Sequence, residues 1–175
     1  PRIMPHLHLS LQSGDDMILK RMKRRHNRAQ AIRFCADLRA LRFDVTFGAD
    51  LIAGFPTETE DQFANTLSLV DDCDLTFLHV FRYSMRRGTP AGRMPQVPAD
   101  IKKDRVTRLR AKGDEALATH LLARTGSKDR VLVECETPIG ATGHGEDFTA
   151  VMLDDKVKVG EIVRVKVKGH EDGRL

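Results

Sequence analysis

Polar side chains stand at the ends of three predicted strands, where α/β proteins commonly bind ligands. His6–Gln12 leads into Ser13, Gly48–Ala53 leads into the corner Gly54-Phe55-Pro56, and Leu75–Ser84 leads into an arginine-rich loop. The carboxyl ends of parallel strands expose backbone amides and side chains to a ligand. The three corners therefore predict one pocket for a cofactor or substrate.

The corner after the second strand has the most specific residue pattern. Gly54 carries no side chain, so a planar ligand could approach its backbone closely. Pro56 fixes the direction in which the chain leaves, and Glu58 stands at the start of a helix. The same residues would also suit a simple strand–helix turn in which Glu58 complements the helix dipole. Both interpretations stay open at this point.

Polar residues also occupy strand faces that helices would normally cover. Asp50 needs a partner on a mostly buried strand, so it either pairs with a structural Lys or Arg or faces a barrel lumen. Gln12 and His8 share the polar face of the first strand. His6 and His8 lack a third ligand nearby, so hydrogen bonding is favoured over metal binding. No metal ligand is predicted in this chain.

The charge is unevenly distributed along the 175 residues. The whole chain has 29 Lys and Arg against 25 Asp and Glu, but Arg130–Leu175 has seven against nine. The basic excess is concentrated in Lys20–Arg42. That run is either a solvated helix face or a track for RNA phosphates, with Arg21 and Arg25 as its candidates.

Cysteine usage and hydropathy exclude several classes of protein. The three cysteines, Cys35, Cys73 and Cys135, are far apart and form no C-x-x-C spacing. This argues against a disulfide scaffold and for a reducing, cytoplasmic setting, and no iron–sulfur or zinc site can be built from them alone. No apolar run approaches the roughly 20 residues of a membrane span, so no membrane association is predicted.

Strands and helices alternate three times, which predicts parallel strands with right-handed crossovers. Asn27 with Gln30, and Thr59 with Gln62, have the spacing of capping boxes at helix starts. Three such units would leave raw sheet edges, so the predicted fold class is α/β, a partial TIM-type barrel of three βα units. A long charged helix follows, Asp100–Leu122.

The residue pattern of the sequence changes near Ser127. Short alternating segments separated by glycines then predict a small antiparallel β-barrel. The predicted domains are 1–126 and 127–175. Arg164, Lys166 and Lys168 alternate along the last strand and would share one face that could contact RNA, although a small barrel that only packs on its neighbour is equally compatible.

Three motifs in series carry a resemblance to a known family. PHLHLSLQSGDDMILKRMKRRH, DVTFGADLIAGFPTETEDQF and LHVFRYSMRRGTPAGRMPQVP closely resemble the radical S-adenosylmethionine (SAM) methylthiotransferases. Within that family they are most similar to the branch that acts on N6-threonylcarbamoyladenosine in tRNA. The segment from Ser127 onward is similar to the TRAM module of these enzymes.

The resemblance implies a barrel that holds SAM over a 4Fe-4S cluster, with a second 4Fe-4S cluster on another domain supplying sulfur. The methylthio group would be installed at C2 of the modified adenosine in the anticodon loop of tRNA; the sulfur and electron donors are not indicated. Residues assigned by motif to the cofactor are Gln12, Ser13, Arg24, Asp50, Gly54, Phe55, Pro56 and Glu58. Those assigned to the substrate or RNA are Arg21, Arg25, Phe81, Tyr83, Ser84, Arg164, Lys166 and Lys168.

The chain also departs from the family pattern. The C-x-x-x-C-x-x-C loop that binds the radical cluster is absent, and so is the N-terminal cluster domain. The chain is therefore expected to be a C-terminal fragment that is inactive alone. Three alternatives remain: an isopentenyladenosine substrate, a ribosomal-protein aspartate substrate, or a non-catalytic RNA-binding module. No residue is predicted to act as a catalytic group with certainty.

Overall fold

A computed structural model describes residues 3–175, which divide into two compact units. The α/β unit comprises residues 7–43 and 47–116. The β unit comprises the described residues up to His6, residues 44–46, and residues 117–175. The domain boundary predicted between 126 and 127 falls between a helix and a strand and stays a prediction.

The α/β unit is a three-stranded sheet with helices in its connections. Its sheet order is β1-β2-β3, and β2 pairs with β3 in parallel, with Asp50 opposite His79. The elements are β1 (His6–Gln12), α1 (Asp16–Arg21), α2 (Arg28–Leu41), β2 (Thr46–Ala53), α3 (Glu60–Asp72), β3 (Phe77–Arg82), a 3-10 turn (Ala91–Arg93) and α4 (Ala99–Arg124). The predicted α/β class and partial barrel are confirmed.

The two faces of the sheet differ in burial. Phe47, Ala49 and Leu51 alternate along β2 and are fully buried, which marks the face covered by the helices. Burying one large aliphatic or aromatic side chain stabilises a fold by roughly 1.5–3 kcal/mol. Asp50 and Ile52 point to the other face and are only half-buried. That second face is therefore the one available to a ligand.

The helix starts are fixed by side-chain caps. The Asn27 side chain accepts from the Gln30 amide at 2.8 Å, and the Gln30 side chain accepts from the Asn27 amide at 3.0 Å. Thr59 and Gln62 form the same reciprocal pair at 3.3 and 3.1 Å. Both predicted capping boxes are confirmed. Each cap contributes about 1 kcal/mol and sets where its helix leaves the sheet.

The corner after β2 is fixed by a buried ion pair. Glu58 Oε2 accepts from the Gly54 amide at 2.8 Å and from Arg105 Nη1 of α4 at 2.9 Å. The Glu58 side chain is fully buried and that of Arg105 is 5% exposed. Gly54 has φ +76°, and a Cβ there would lie 2.2 Å from Lys102 Cγ. Only glycine fits this close, left-handed turn.

Burial raises the pKa of Glu58, while the Gly54 amide and the Arg105 charge oppose the rise. Within the described residues Glu58 Oε1 and Arg105 Nε are buried without hydrogen-bond partners. A carboxylate placed so deeply depends on its cation, because an uncompensated buried charge is strongly destabilising. Glu58 therefore holds the corner through buried contacts to Gly54 and Arg105, and its assignment to the cofactor stays a prediction.

The β unit is a four-stranded antiparallel sheet of order β6-β5-β4-β7. Its strands are β4 (Lys128–Thr137), β5 (Gly140–His144), β6 (Ala150–Leu153) and β7 (Ile162–Lys166). Its core contains Val131, Val133, Ala141, Val151 and Leu153. The predicted antiparallel β domain is confirmed, but its sheet is open in the described part of the chain, because β6 and β7 lie at opposite edges.

A buried carboxylate organises one end of the β unit. Asp147 accepts from the Thr149 amide at 3.1 Å, lies 3.1 Å from His120 Nε2 and pairs with Arg124. Burial tends to raise the pKa of Asp147, but the hydrogen bonds from His120 and Thr149 and the Arg124 charge hold it well below its usual range. Asp147 is therefore ionised throughout the physiological range.

Across residues 3–175, none of the helices combines the length and apolar character needed to cross a membrane.

Replacing Arg105 with Met should lower the free energy of unfolding by about 3 kcal/mol, because Glu58 would stay buried without its cation. Chemical denaturation measures the change. Arg108→Met is the matched control: Arg108 also pairs with Glu60 but is 41% exposed, so a loss below about 1 kcal/mol is expected. Equal losses in the two variants would refute the structural role given to the buried pair.

Candidate cofactor and nucleic-acid sites

The carboxyl ends of β1 and β2 border a cavity of about 360 Å3 in the α/β unit. Polar side chains line one part of it: Gln12, Arg21, Lys23, Arg24 and Thr89. The remainder is largely apolar: Met22, Ile52, Phe55, Pro90 and Ala91. An apolar pocket with a few convergent polar groups is the usual form of a small-molecule site, and we call it the strand-end cavity.

The cations of the cavity are placed by the end of α1. The Arg24 amide donates to Leu19 O at 2.9 Å and the Lys23 amide donates to Lys20 O at 3.0 Å, which is the pattern of a Schellman motif. Lys23 accordingly has φ +58°. This turn reverses the chain, so that Arg21, Lys23 and Arg24 all border the same space.

The Arg21 guanidinium has a hydrogen-bond donor that is buried without an acceptor in the described part of the chain. Its Nη1 atom is buried and has no hydrogen-bond partner among residues 3–175. Arg24 Nη2 donates to Ser10 O instead. A buried guanidinium N–H without an acceptor is costly, and carboxylates and phosphates are the groups that arginine binds best. The cavity is therefore suited to an anionic group beside Arg21.

The β2 corner forms the opposite wall. The Phe55 and Tyr83 rings meet edge to face at 5.2 Å, and the Tyr83 amide donates to Ala53 O at 3.0 Å. Pro56 is buried behind the corner, and Glu58 is sealed from solvent by its bonds to Gly54 and Arg105. Phe55 thus reaches the cavity, whereas Pro56 and Glu58 hold the corner in place without bordering it.

Several other predicted site residues lie outside the strand-end cavity. Ser13 is 1% exposed, and its hydroxyl lies 3.3 Å from Thr66 Oγ1 of α3, so it joins two elements rather than lining the cavity. Arg25 borders a separate groove beside Leu9 and Leu11, on the opposite face of β1 from Gln12. Phe81 and Ser84 are exposed at the end of β3.

Asp50 lies next to two histidines. Within the described residues it does not pair with a structural Lys or Arg, which was one of its two predicted environments. Its Oδ1 atom lies 2.9 Å from His8 Nε2 and 3.4 Å from His79 Nδ1. The three residues belong to three different strands of the sheet. Asp50 faces the open side of the sheet, as does Ile52, but it does not border the cavity.

The β unit carries paired cations on adjacent strands. Lys128 lies opposite Lys166, and Arg130 lies opposite Arg164, in the antiparallel register of β4 and β7. All four are exposed, and we call them the β4–β7 basic patch. Like charges directly opposite each other disfavour a sheet, so a polyanion bound there would relieve their repulsion. Lys168 lies past the end of β7 and pairs with Asp154 at 2.6 Å.

Four functional candidates were missed at the level of sequence. Lys23 belongs to the recognised basic run, but its left-handed turn has no sequence signal. Lys128 and Arg130 could be assigned to the patch only once β4 was known to pair with β7. Thr89, in the arginine-rich loop, reaches the cavity because that loop folds back beside β1 and β2.

The chain is similar in sequence to several known proteins. The Radical SAM superfamily model matches residues 2–70. The chain is 52% identical over 174 residues to the threonylcarbamoyladenosine tRNA methylthiotransferase MtaB of Rickettsia prowazekii, covering 99% of this chain and 40% of that protein. It is 38% identical over 178 residues to a tRNA-2-methylthio-N(6)-dimethylallyladenosine synthase of Cereibacter sphaeroides, covering 100% and 41%.

A solved structure supports the fold. The chain resembles coproporphyrinogen III oxidase of Escherichia coli, described as a radical SAM enzyme, with a TM-score of 0.55 and 16% identity over 79% of this chain and 38% of that one. The chain spans about 40% of the length of the curated relatives above. The superfamily match and the sequence identity to two methylthiotransferases show that the chain belongs to the radical SAM methylthiotransferase family.

Proposed function

We propose that this chain is part of a cytoplasmic enzyme that transfers a methylthio group to C2 of N6-threonylcarbamoyladenosine-37 in tRNA. The observation that carries the proposal is the strand-end cavity, which Gln12 and Phe55 border together with Arg21, whose Nη1 atom is buried without a hydrogen-bond partner among the described residues. The names of two relatives, 52% and 36% identical over nearly the whole chain, support this substrate.

The residues of the cavity fit SAM. Its carboxylate would accept from Arg21 Nη1, which lacks an acceptor, and Lys23 and Arg24 would add positive charge. Ile52 and Phe55 offer apolar contacts to the adenosyl part, whereas Gly54 does not border the cavity and has Lys102 packed against it. When bound with a reduced 4Fe-4S cluster, SAM supplies the radical chemistry typical of the superfamily.

The cluster ligands are proposed to lie outside this chain. Cys35 and Cys73 are buried, and Cys135 belongs to the β unit. Cluster ligation needs several thiolates at one place, which these positions do not offer. Two 4Fe-4S clusters would then be held by the rest of the full-length protein, and the 175-residue chain alone would be inactive.

A second candidate substrate is dimethylallyladenosine in tRNA. The supporting observation is the 38% identity to a synthase named for that nucleoside, over the whole of this chain. The two nucleosides differ at N6: one carries a charged threonylcarbamoyl group and the other a hydrocarbon. The cations around the cavity beyond Arg21, which are Lys23 and Arg24, favour the charged nucleoside.

The β4–β7 basic patch is the proposed contact with tRNA phosphates. Its four cations lie on one exposed sheet face, next to the exposed apolar pair Leu132 and Ile162. Arg130 is partly neutralised by Glu146, with its Nε atom 2.8 Å from Glu146 Oε1. Lys128 and Lys166 are therefore the side chains expected to contribute most to binding.

The substrate assignment is tested by mass spectrometry of tRNA nucleosides from cells that lack the gene. We expect the methylthio derivative of N6-threonylcarbamoyladenosine to disappear, and the unmodified nucleoside to accumulate. Loss of the methylthio dimethylallyl nucleoside instead would establish the second candidate. An unchanged nucleoside profile would leave the non-catalytic RNA-binding alternative.

Replacing Arg21 with Met should weaken SAM binding by the intact, cluster-loaded enzyme roughly 10- to 100-fold. The reason is that a hydrogen bond to a charged group contributes about 1.5–3 kcal/mol. Isothermal titration calorimetry measures the dissociation constant. Lys20→Met is the control, because Lys20 is exposed one residue earlier and does not border the cavity. Equal affinities in the two variants would remove Arg21 from the cofactor site.

Replacing both Lys128 and Lys166 with Gln should weaken tRNA binding by the intact enzyme and flatten its salt dependence. Two lost phosphate contacts reduce the slope of log K against log salt by roughly 1.4–1.8. Filter binding at several salt concentrations measures the slope. The control replaces Lys156 and Lys158, two exposed lysines outside the patch, with Gln. An unaltered slope in the Lys128 and Lys166 variant would show that the patch is not a phosphate contact.

A further inference from the structure

His8, Asp50 and His79 form a compact group on the open face of the α/β sheet. One donor atom from each lies within 4.8 Å of the other two, a distance short enough for a shared metal ion. The His8 and His79 rings are 4.5 Å apart between centroids and tilted by 40°. Both rings therefore converge on the same carboxylate oxygen, Asp50 Oδ1.

The group is created by the register of the sheet. Asp50 lies directly opposite His79 in the parallel pairing of β2 and β3. His8 reaches the same carboxylate from β1, on the other side of β2. Three neighbouring strands thus each supply one side chain, and sheet hydrogen bonds hold their backbones in place. Ligands fixed on rigid elements need little rearrangement to accept an ion.

We propose that His8, Asp50 and His79 bind one divalent transition-metal ion. Imidazole nitrogen with carboxylate oxygen is a donor set that suits zinc, iron, nickel and cobalt. In a tetrahedral site with bonds of about 2.0–2.1 Å, ligand atoms lie roughly 3.3 Å apart. The two distances to Asp50 Oδ1, 2.9 and 3.4 Å, already approach that value.

The site would remain accessible and coordinatively open. The side chains of His8, Asp50 and His79 are 33%, 27% and 60% exposed, so an ion can reach them from solvent. Three protein ligands leave one position of a tetrahedral ion for water or a ligand. In the absence of metal, the His8 imidazole is hydrogen-bonded to the Asp50 carboxylate, and His79 lies beside the same oxygen. The inference does not depend on methylthio transfer.

The test titrates Zn2+ into the full 175-residue chain carrying Cys135→Ser, which removes the exposed thiol as a competing ligand. Calorimetry should show that one equivalent of Zn2+ binds tightly to the chain. His79→Ala and Asp50→Asn should each weaken that equivalent at least tenfold. Their thermal melts should match that of the parent chain, since both side chains lie on the open face of the sheet.

His144→Ala is the matched control. His144 is also part of a partly exposed histidine–carboxylate pair, with Nδ1 2.8 Å from Glu134 Oε2, but it lies outside the three-residue group. Its removal should leave the Zn2+ affinity unchanged. Imidazole 15N resonances of the parent should shift at two of the seven histidines, His8 and His79. Undiminished affinity in His79→Ala, shifts at neither residue, or no Zn2+ binding would each overturn the proposal.

Discussion

The buried carboxylate of Glu58 is the interaction on which the candidate cofactor site depends. It binds the Gly54 amide at the end of β2 and Arg105 of α4, and so fixes the backbone of the corner. Gly54 adopts a left-handed conformation, and Lys102 packs so closely that a Cβ at this position would clash with it. Without the ion pair, Phe55 would lose the support that keeps its ring at the cavity. The position of Phe55 at the cavity therefore depends on the buried Glu58 carboxylate.

The opposite wall follows a different principle. Arg21 ends a six-residue helix, and Lys23 and Arg24 follow its cap, Met22, where cations are favoured by the partial negative charge of the carbonyl end. The Schellman turn brings them together within four residues. Local backbone chemistry thus gathers a dense positive charge, whereas the β2 corner relies on contacts between residues far apart in sequence. An anionic ligand would pair with the cations that follow α1 and pack against Phe55 of the β2 corner.

Sequence alone was sufficient for the features that depend on local chemistry. Capping boxes at Asn27 and Thr59 and the alternation of strands with helices were predicted, because each is determined within a few residues. Gln12, Arg24 and Phe55 were assigned to one site from their motifs, and all three border the cavity. The family resemblance supplied the latter assignments, since spacing alone left the corner open to a purely structural interpretation.

Features that depend on pairing between distant strands could not be predicted. His8, Asp50 and His79 are separated by 42 and 29 positions, and a shift of one residue in register would turn a side chain to the other face of the sheet. Lys128 and Arg130 join Lys166 and Arg164 only through the pairing of β4 with β7. Ser13 looked exposed at a strand end but is buried by α3, whose Asn65 carbonyl would lie 2.3 Å from a Cβ on neighbouring Gly14.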